Sequence, residues 1–362
     1  MLSTKLPGRA LPHVIHLSLP QQQTTRSLVF GVRDREVPGS GCQRTAQRPL
    51  RGCAVRCSVA AKSAPSRRAP AQGIEEGYWA WREYKIRYQK MGSKGPKVLL
   101  VHGFGSNCDH WRKNFPVLAE ECQVWAIDLL GYGWSDKPDP RDHLPNSLYT
   151  FETWGQQLLD FMEQKMGGDS AFLICNSVGG LAGLQAAIFR PDLVRGVQLM
   201  NISLRLLHLK KQPAWKKPVV KALQSALHSS FVGPLFFSLL AKPKTVKNVL
   251  AECYGDKGEV SDELVDYILT PGLEPGAVRV FLDFISYSGG PLPEELLDEC
   301  KRPVSLLWGE KDPWEKLELG RSLQHHPCVE EFVVIPGAGH CPMDEAPGLV
   351  NPAILNFINR HS

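Results

Sequence analysis

The hydrophobic positions of this chain follow two different periods. Residues 78–88 alternate large apolar side chains with polar ones, which is the period of a half-buried β-strand. We expect this segment to begin a sheet as an antiparallel edge hairpin. Continuous apolar runs follow, each with the length of a strand that is buried on both faces. These runs lie at residues 98–101, 124–127, 172–175 and 197–199.

Helical patterns separate the apolar runs. They cover residues 109–119, 151–165 and 178–190. Thr150 is a candidate N-cap for the second helix, with Glu152 favourably placed in its first turn. Alternation of strand and helix predicts an α/β fold with a doubly wound, mostly parallel sheet. Ligands bind such sheets at the carboxyl edge of the strands.

The alternation stops after residue 202. Residues 203–293 contain no clear strand but several helical patterns broken by Pro and Gly, at 217–229, 234–240, 245–253 and 262–269. Apolar runs resume at residues 303–308 and 331–335. The predicted organisation is a leader and linker at 1–72, a core at 73–202 and 294–362, and a helical lid at 203–293 that covers the active site.

A serine follows one of the apolar runs. Residues 171–180 have the sequence AFLICNSVGG, which predicts a buried strand that turns sharply into a helix at Ser177. Such a turn exposes the hydroxyl at the carboxyl edge of the sheet, as a nucleophile requires. Cys175 occupies the first glycine position of the usual G-x-S-x-G pattern, and we expect its side chain to crowd the turn modestly. Taken alone, the motif also fits a serine that caps an ordinary helix.

A candidate base and a candidate orienting acid follow the serine in the chain. Asp312 comes just after the run at 303–308, and His340 ends the flexible loop PGAGH after the run at 331–335. The order Ser, Asp, His predicts a catalytic triad of Ser177, Asp312 and His340. Glu310 and Asp128 compete with Asp312 for the acidic role. Asp128 is expected to be structural, anchoring the glycine-containing turn that follows it.

Attack of a hydroxyl on an ester places negative charge on the carbonyl oxygen, which needs two N–H donors. The backbone N–H of Val178, directly after the nucleophile, is one candidate. The N–H of Phe104, in the loop HGFG after the run at 98–101, is the other. Neither this loop nor the later GYG turn completes a phosphate-binding glycine motif, so no nucleotide site is predicted.

Together these motifs resemble the α/β-hydrolase fold superfamily over residues 78–361. The segments NSVGG at the turn and VWAIDLLG around Asp128 are similar to its plastid pheophytinase and chlorophyll dephytylase-like branch. That resemblance implies cleavage of the phytyl ester of a chlorophyll pigment. Dehalogenases and epoxide hydrolases of this fold carry an aspartate at the position of Ser177, so the resemblance disfavours both activities.

The positive charge of the chain is concentrated in its first segment. Residues 1–72 hold twelve Lys and Arg residues against two acidic ones, whereas the whole chain has a net charge of +5. The remainder is therefore acidic, which argues against nucleic-acid binding by the catalytic part. An Arg-rich, acid-poor segment with scattered Ser, Thr and Pro predicts a chloroplast transit peptide cleaved near Cys57. A disordered basic tail and mitochondrial import are the alternatives.

Seven of the ten cysteines lie after the predicted leader, and they are scattered singly. An odd, unclustered set predicts free thiols in a reducing compartment, without a C-x-x-C metal or redox pair. We expect Cys175 to be a small buried apolar residue. The predicted chemistry requires no metal and no organic cofactor.

The first part of the predicted lid is basic and aromatic. It suits an amphipathic surface that rests on anionic lipid, as at a thylakoid or envelope membrane, and equally a solvated basic face over an ordinary lid core. No apolar run is long enough to span a membrane, so at most peripheral contact is expected. The cationic residues are Arg205, Lys210, Lys211, Lys216, Lys217 and Lys221, and the aromatic residues are Trp215, Phe231, Phe236 and Phe237.

The sequence thus predicts a serine hydrolase for a small lipophilic ester, a phytyl or acyl ester in a plastid. Two alternatives use the same scaffold: a non-catalytic pigment- or lipid-binding protein, and a cofactor-free lyase, peroxidase or C–C hydrolase. The candidates to line the pocket are His110, Trp111, Trp134, Phe281 and Trp314.

Overall fold

One eight-stranded sheet organises the part of the chain that the structure describes. A computed structural model describes residues 69–143, 147–220, 222, 232–287 and 289–362. Its strand order is β1-β2-β4-β3-β5-β6-β7-β8. The strands are β1 (Glu75–Trp81), β2 (Tyr84–Met91), β3 (Lys97–Val101), β4 (Gln123–Ile127), β5 (Ala171–Asn176), β6 (Val194–Met200), β7 (Val304–Gly309) and β8 (Val329–Ile335). Of the predicted leader, residues 1–68 lie outside the described ranges.

The predicted edge hairpin is confirmed. β1 pairs with β2 in antiparallel register, with Trp79 opposite Ile86, and β2 pairs antiparallel with β4. Arg82 makes the tight turn with φ of +53°, a left-handed conformation that few non-glycine residues adopt. The other strand pairs are parallel, as the buried apolar runs predict.

Helices cover both faces of the sheet. Alternate residues of β3 point to opposite faces: Leu99 packs with the cluster that contains Trp154, and Leu100 with the cluster that contains Phe357. A strand buried in this way is a nearly continuous apolar run. The α-helices of the described residues are α1 (Phe115–Leu118), α2 (Phe151–Lys165), α3 (Val178–Phe189), α4 (Val232–Leu240), α5 (Pro243–Cys253), α6 (Asp262–Gly272), α7 (Ala277–Ser286), α8 (Pro293–Glu299), α9 (Leu317–Gly320), α10 (Pro342–Glu345) and α11 (Pro347–Arg360).

Helix α2 has the predicted bounds, and its N-cap is Thr150, whose hydroxyl accepts a hydrogen bond from Thr153 N–H at 3.2 Å. The single helix predicted at residues 109–119 is wrong. A 3₁₀ turn (Cys108–Trp111) and the short helix α1 stand there instead. Pro116 lacks the N–H that a continuous helix needs at that position, and it disfavours helical backbone at the preceding residue.

Between β6 and β7 the described residues form helices and turns without a strand. Helices α4, α5 and α6 lie where the sequence predicts helices, and α7 and α8 follow. The helix predicted at 217–229 falls mostly outside the described residues. Among the described residues, none of the helices combines the length and apolar character required to cross a bilayer.

Candidate active site

Ser177 sits in a strained turn between β5 and α3. Its φ is +53° and its ψ is −121°, a conformation that non-glycine residues rarely adopt. The turn is held from one side, because Ser177 N–H donates to the carbonyl of Met200 at 2.9 Å. It also needs the glycine two positions later, since a Cβ at Gly179 would collide with the carbonyl of His102. The predicted sharp elbow is therefore the conformation of the chain, and a simple N-cap role is excluded because the Ser177 side chain caps nothing.

Cys175 fits this turn because of a second glycine. The thiol is fully buried, and a Cβ built on Gly183 would lie 2.6 Å from its sulfur atom. The side chain at the first glycine position of the motif therefore packs into the space over Gly183 in α3. Burial raises the pKa of Cys175, so it remains an apolar, protonated thiol as predicted.

Asp312 and His340 form a buried pair. His340 Nδ1 lies 2.7 Å from Asp312 Oδ2, and because a carboxylate can only accept, Nδ1 carries the hydrogen. The other carboxylate oxygen accepts the N–H groups of Trp314 at 2.8 Å and Glu315 at 3.0 Å. The histidine loop is fixed as well, since the His340 carbonyl accepts a hydrogen bond from the side chain of Asn176 at 3.1 Å.

The two competing acids serve other purposes. Glu310 accepts the N–H of Gly337 at 2.9 Å. Asp128 is fully buried, lies 3.3 Å from Arg87, and accepts the N–H groups of Cys108 at 2.7 Å and Trp134 at 2.8 Å. Arg87 holds the pKa of Asp128 low against the effect of burial. Asp128 thus anchors its own turn to the loop after β3, as the sequence predicts.

The two predicted oxyanion donors lie beside the serine. Val178 is the first residue of α3, so its N–H has no partner within the helix. In the described loops, the backbone N–H of Phe104 has no backbone acceptor. The loop of Phe104 approaches the elbow closely, because a Cβ on Gly103 would lie 3.0 Å from Ser177 Cβ. Neither amide is therefore used within its own helix or by the loop backbone.

These groups meet in one cavity of about 620 Å³. Ser177 and His340 both line it, together with Phe104 and Val178. Within the described residues no hydrogen bond joins the Ser177 hydroxyl to His340, a contact that catalytic pairs often tighten only when substrate binds. Of the predicted pocket residues, His110, Phe281 and Trp314 line this cavity, whereas Trp111 and Trp134 do not.

A sequence model described as the alpha/beta hydrolase family matches residues 98–353. The chain belongs to the alpha/beta hydrolase family. Pheophytinase, chloroplastic, of Arabidopsis thaliana is 26% identical and aligns with 80% of this chain and 67% of its own length. The 2-hydroxy-6-oxo-6-(2'-aminophenyl)hexa-2,4-dienoic acid hydrolase of Metapseudomonas resinovorans is 33% identical over 77% of this chain and 89% of that protein.

Solved structures agree on the fold. Epoxide hydrolase VrEH1 from Vigna radiata superposes with a TM-score of 0.66 at 19% identity, covering 81% of this chain and all of that chain. The relatives therefore support hydrolase activity for this chain and the predicted α/β-hydrolase fold.

Two residues of this alpha/beta hydrolase lie at the site without a motif in the sequence that marks them. Asn201 follows β6 with φ of +46° and donates from its side-chain amide to Asp312 at 2.6 Å. Its amide oxygen accepts the N–H of Gly309 at 3.0 Å, which ties the end of β6 to the end of β7. Its place directly after a buried apolar run, at the carboxyl edge of the sheet, could have indicated Asn201 as a site residue.

Glu315 is the second such residue. It lines the cavity, is 8% exposed, and accepts a hydrogen bond from the Ser203 hydroxyl at 3.1 Å. Burial raises its pKa to about 7, while the nearby His340 acts in the opposite direction. The acid lies only three residues after Asp312, but no pattern in the sequence indicates that it is buried.

All seven cysteines in the described part of the hydrolase are free thiols, as the sequence predicts.

Proposed function

We propose that this hydrolase cleaves a carboxylic ester with Ser177 as its nucleophile. One observation carries the proposal: a serine in a strained elbow lines the same cavity as a buried His340–Asp312 pair. Strain at a non-glycine residue persists only where the surrounding structure enforces it, which happens most often at functional sites. The three residues follow the family's chain order, Ser177 and His340 line the cavity, and Asp312 acts on it through His340.

The reaction proceeds through an acyl-enzyme. His340 Nε2 takes the proton of the Ser177 hydroxyl as its oxygen attacks the carbonyl carbon. Asp312 accepts from Nδ1, fixes the tautomer and stabilises the imidazolium that forms. The N–H groups of Phe104 and Val178 bind the oxyanion, and His340 then protonates the departing alcohol. A water activated by His340 releases the acid, so no metal or organic cofactor is needed.

We propose a lipophilic substrate. The cavity has the size of a small-molecule site and is lined mainly by apolar side chains, among them Phe104, Phe237, Leu240, Phe281 and Phe284. Helices α4 to α7 supply most of this apolar lining and serve as the lid. With the similarity to a chloroplastic pheophytinase, this favours the phytyl ester of a chlorophyll pigment or an acyl lipid in a plastid.

We further propose peripheral contact with a plastid membrane, through two exposed apolar side chains between β6 and β7. Trp215 is 72% exposed, and Leu235 in α4 is 64% exposed. The cationic contribution is smaller than the sequence implies, because Lys210 and Lys211 form ion pairs with Glu295 and Glu294. Apolar insertion, more than attraction to anionic lipid, would therefore supply the affinity. Lys221 and Phe231 lie outside the described residues.

The test is incubation of the protein and its Ser177→Ala variant with a plastid extract of pigments and lipids, followed by mass spectrometry of the esters. Depletion of specific esters by the unchanged protein alone is the expected result. Depletion by both proteins would contradict the role of Ser177. Failure of either to deplete any ester, without labelling of Ser177 by a fluorophosphonate, would favour a non-catalytic binding protein.

A C–C hydrolase is the second candidate, favoured by the 33% identity to the Metapseudomonas enzyme. The substrate that enzyme is named for is an acid, and Arg205 is a cationic residue that lines this cavity. Its guanidinium lies 4.9 Å from the ring centroid of Phe151 and 4.9 Å from that of Tyr287. Adding that acid to the same assay separates the two reactions. Its turnover at a rate above that of any ester would replace the ester proposal.

A further inference from the structure

A second series of hydrogen-bonded, buried polar side chains reaches the cavity at Ser106. The Ser106 hydroxyl lies 2.9 Å from His110 Nδ1, and His110 Nε2 lies 2.9 Å from the Tyr254 hydroxyl. Tyr254 in turn donates to Asp344 Oδ2 at 2.9 Å. Each of the four side chains is at least nine-tenths buried. None of them takes part in the steps of the proposed ester cleavage.

The direction of each hydrogen bond in the series from Ser106 to Asp344 follows from Asp344, the residue most distant from the cavity. Asp344 lies 2.8 Å from the guanidinium of Arg112, so it is a carboxylate and can only accept. The single proton of the Tyr254 hydroxyl is therefore used on Asp344. The phenol oxygen then has only lone pairs to offer, so His110 must donate to it from Nε2.

The tautomer of His110 fixes the last bond. Burial lowers the pKa of His110 to about 4, so the imidazole is neutral near pH 7 and carries one hydrogen. With that hydrogen on Nε2, the Nδ1 atom is bare and can only accept. The Ser106 hydroxyl must therefore donate to Nδ1. Burial also raises the pKa of Tyr254, which keeps its phenol protonated.

Ser106 consequently faces the cavity with its lone pairs alone. It lines the same cavity as Ser177 and His340, two residues after the proposed oxyanion donor Phe104. Its position is held by its own N–H, which donates to the carbonyl of Gly103 at 3.3 Å. A cavity lined mainly by apolar side chains thus holds a hydroxyl whose hydrogen is already engaged in a hydrogen bond to His110.

We propose that Ser106 is a specificity-determining residue that selects substrates carrying a hydroxyl or N–H donor at this wall of the cavity. Asp344, Tyr254 and His110 act as positioning residues, because they determine that Ser106 accepts. An ester with a donor gains a hydrogen bond to Ser106 Oγ. An ester with an ether oxygen at the same place gains none, because two acceptor oxygens then face each other. This selectivity rests on the proposed ester hydrolysis, but the hydrogen-bond direction does not.

The direction is tested first, without any turnover. The protein is labelled with ¹⁵N-histidine, the imidazole nitrogens are followed by NMR near pH 7, and a His110→Gln variant assigns the signal among the eleven histidines. We expect a neutral His110 with its hydrogen on Nε2 and a bare Nδ1. A hydrogen on Nδ1, or a doubly protonated ring, would overturn the proposal whether or not the protein cleaves esters.

The selectivity is tested with matched esters that differ in one substituent, a hydroxyl, a methoxy group or a hydrogen. The substituent is placed at successive carbons of the acyl chain in one series and of the alcohol in another. At one position we expect kcat/KM to favour the hydroxyl over the methoxy ester about tenfold, the size of one net hydrogen bond. Ser106→Ala should remove the preference, and Ser322→Ala, at an exposed serine, should keep it.

Tyr254→Phe tests whether the hydrogen bonds from Asp344 through His110 determine that Ser106 accepts. Without the phenol, His110 Nε2 loses its acceptor, so the hydrogen moves to Nδ1 and Ser106 becomes a donor toward the cavity. We expect the NMR signal to report that tautomer and the preference to shift toward the methoxy ester. Tyr149→Phe, which removes an equally buried phenol bonded to the Pro138 carbonyl at 2.6 Å, should change neither.

Outcomes separate the two proposals. Hydrolysis of all three esters at equal rates by the unchanged protein would contradict the role of Ser106 and leave ester hydrolysis standing. Absence of any hydrolysis would contradict the proposed function. The tautomer of His110 would still show whether Ser106 donates to His110 or accepts from it. Loss of the preference in Ser322→Ala or Tyr149→Phe would also overturn the assignment, because those residues do not touch the cavity.

Discussion

The side-chain amide of Asn201 lies 2.6 Å from Asp312 Oδ2, the carboxylate oxygen that also accepts from His340. Asn201 reaches it from the end of β6 through a left-handed backbone, with φ of +46°. The acid of the proposed triad is therefore positioned by two strands, because Asp312 itself follows β7. An asparagine is suited to this position, since it tolerates left-handed backbone better than most residues and also carries a donor.

Removing that amide should weaken catalysis more than folding. In Asn201→Gly the backbone conformation is retained and the donor to Asp312 is lost, so we expect kcat to fall about tenfold to a hundredfold with little change in KM. Asn201→Ala should show the same kinetic loss and an additional loss of about 1 kcal/mol in the free energy of unfolding, because alanine disfavours φ of +46°. Steady-state kinetics and urea unfolding measure both. Unchanged kcat in Asn201→Gly would show that Asp312 does not depend on this contact.

Glu315 should make the stability of the fold depend on pH. Its ordinary pKa is 4.5, and burial raises it to about 7 in the folded protein. Between these two values the folded state binds more protons than the unfolded state, so the free energy of unfolding falls as pH rises through this window. The loss is at most about 3 kcal/mol, from 1.36 kcal/mol per pKa unit.

Glu315→Gln should remove that contribution. Urea unfolding of both proteins near pH 5 and near pH 8 measures it, and the variant is expected to gain stability relative to the unchanged protein at the higher pH. If the free energy of unfolding changed equally with pH in the two proteins, Glu315 would be ionised over the whole range.

Cys175 and Gly183 should be energetically coupled. Gly183→Ala alone would drive a Cβ to within 2.6 Å of the Cys175 sulfur, an overpacking that costs about 1–3 kcal/mol. Cys175→Ala removes the sulfur and leaves space for that methyl group. The double variant should therefore be more stable than the sum of the two single effects by about 1 kcal/mol or more. Additive effects in thermal unfolding would contradict the packing of the thiol over Gly183.

The exposed side chains of Trp215 and Leu235 should bind lipid. Each large apolar side chain that enters a bilayer contributes about 1.5–3 kcal/mol, so Trp215→Ser combined with Leu235→Ser should weaken vesicle binding at least tenfold. Leu349→Ser is the control, since Leu349 is also exposed but lies in α11. Flotation with neutral and anionic vesicles at low and high salt separates apolar insertion from charge. Equal flotation of the double variant and the control would rule out a lipid contact through Trp215 and Leu235.

The sequence indicated the sheet, its hairpin and the residues of the candidate site, because each depends on local patterns. Apolar runs such as residues 98–101 and 172–175 indicate strands that are buried on both faces. The N-cap residue Thr150 marks the start of helix α2. The helix predicted at 109–119 was wrong because Pro116 interrupts it, although the apolar positions there have a helical period. Helices α7 and α8 were not singled out, since Pro and Gly interrupt that region.

What the sequence did not reveal are contacts between distant segments. Asn201 and Asp312 are 111 positions apart, and Tyr254 and Asp344 are 90 positions apart. No periodicity connects them, so only the folded chain brings them together. The fit of Cys175 over Gly183 is of the same kind, although both residues lie close in sequence, because it depends on how α3 packs on β5.

Intact-protein mass spectrometry after reaction with a fluorophosphonate shows whether Ser177 is the nucleophile that becomes acylated. We expect one adduct per chain, located at Ser177 and absent from Ser177→Ala, with ester hydrolysis lost in proportion to labelling. Ser177→Ala should reduce kcat at least about a thousandfold, as for other serine nucleophiles. An adduct at another residue, or Ser177→Ala that still hydrolyses esters at the original rate, would contradict this role of Ser177.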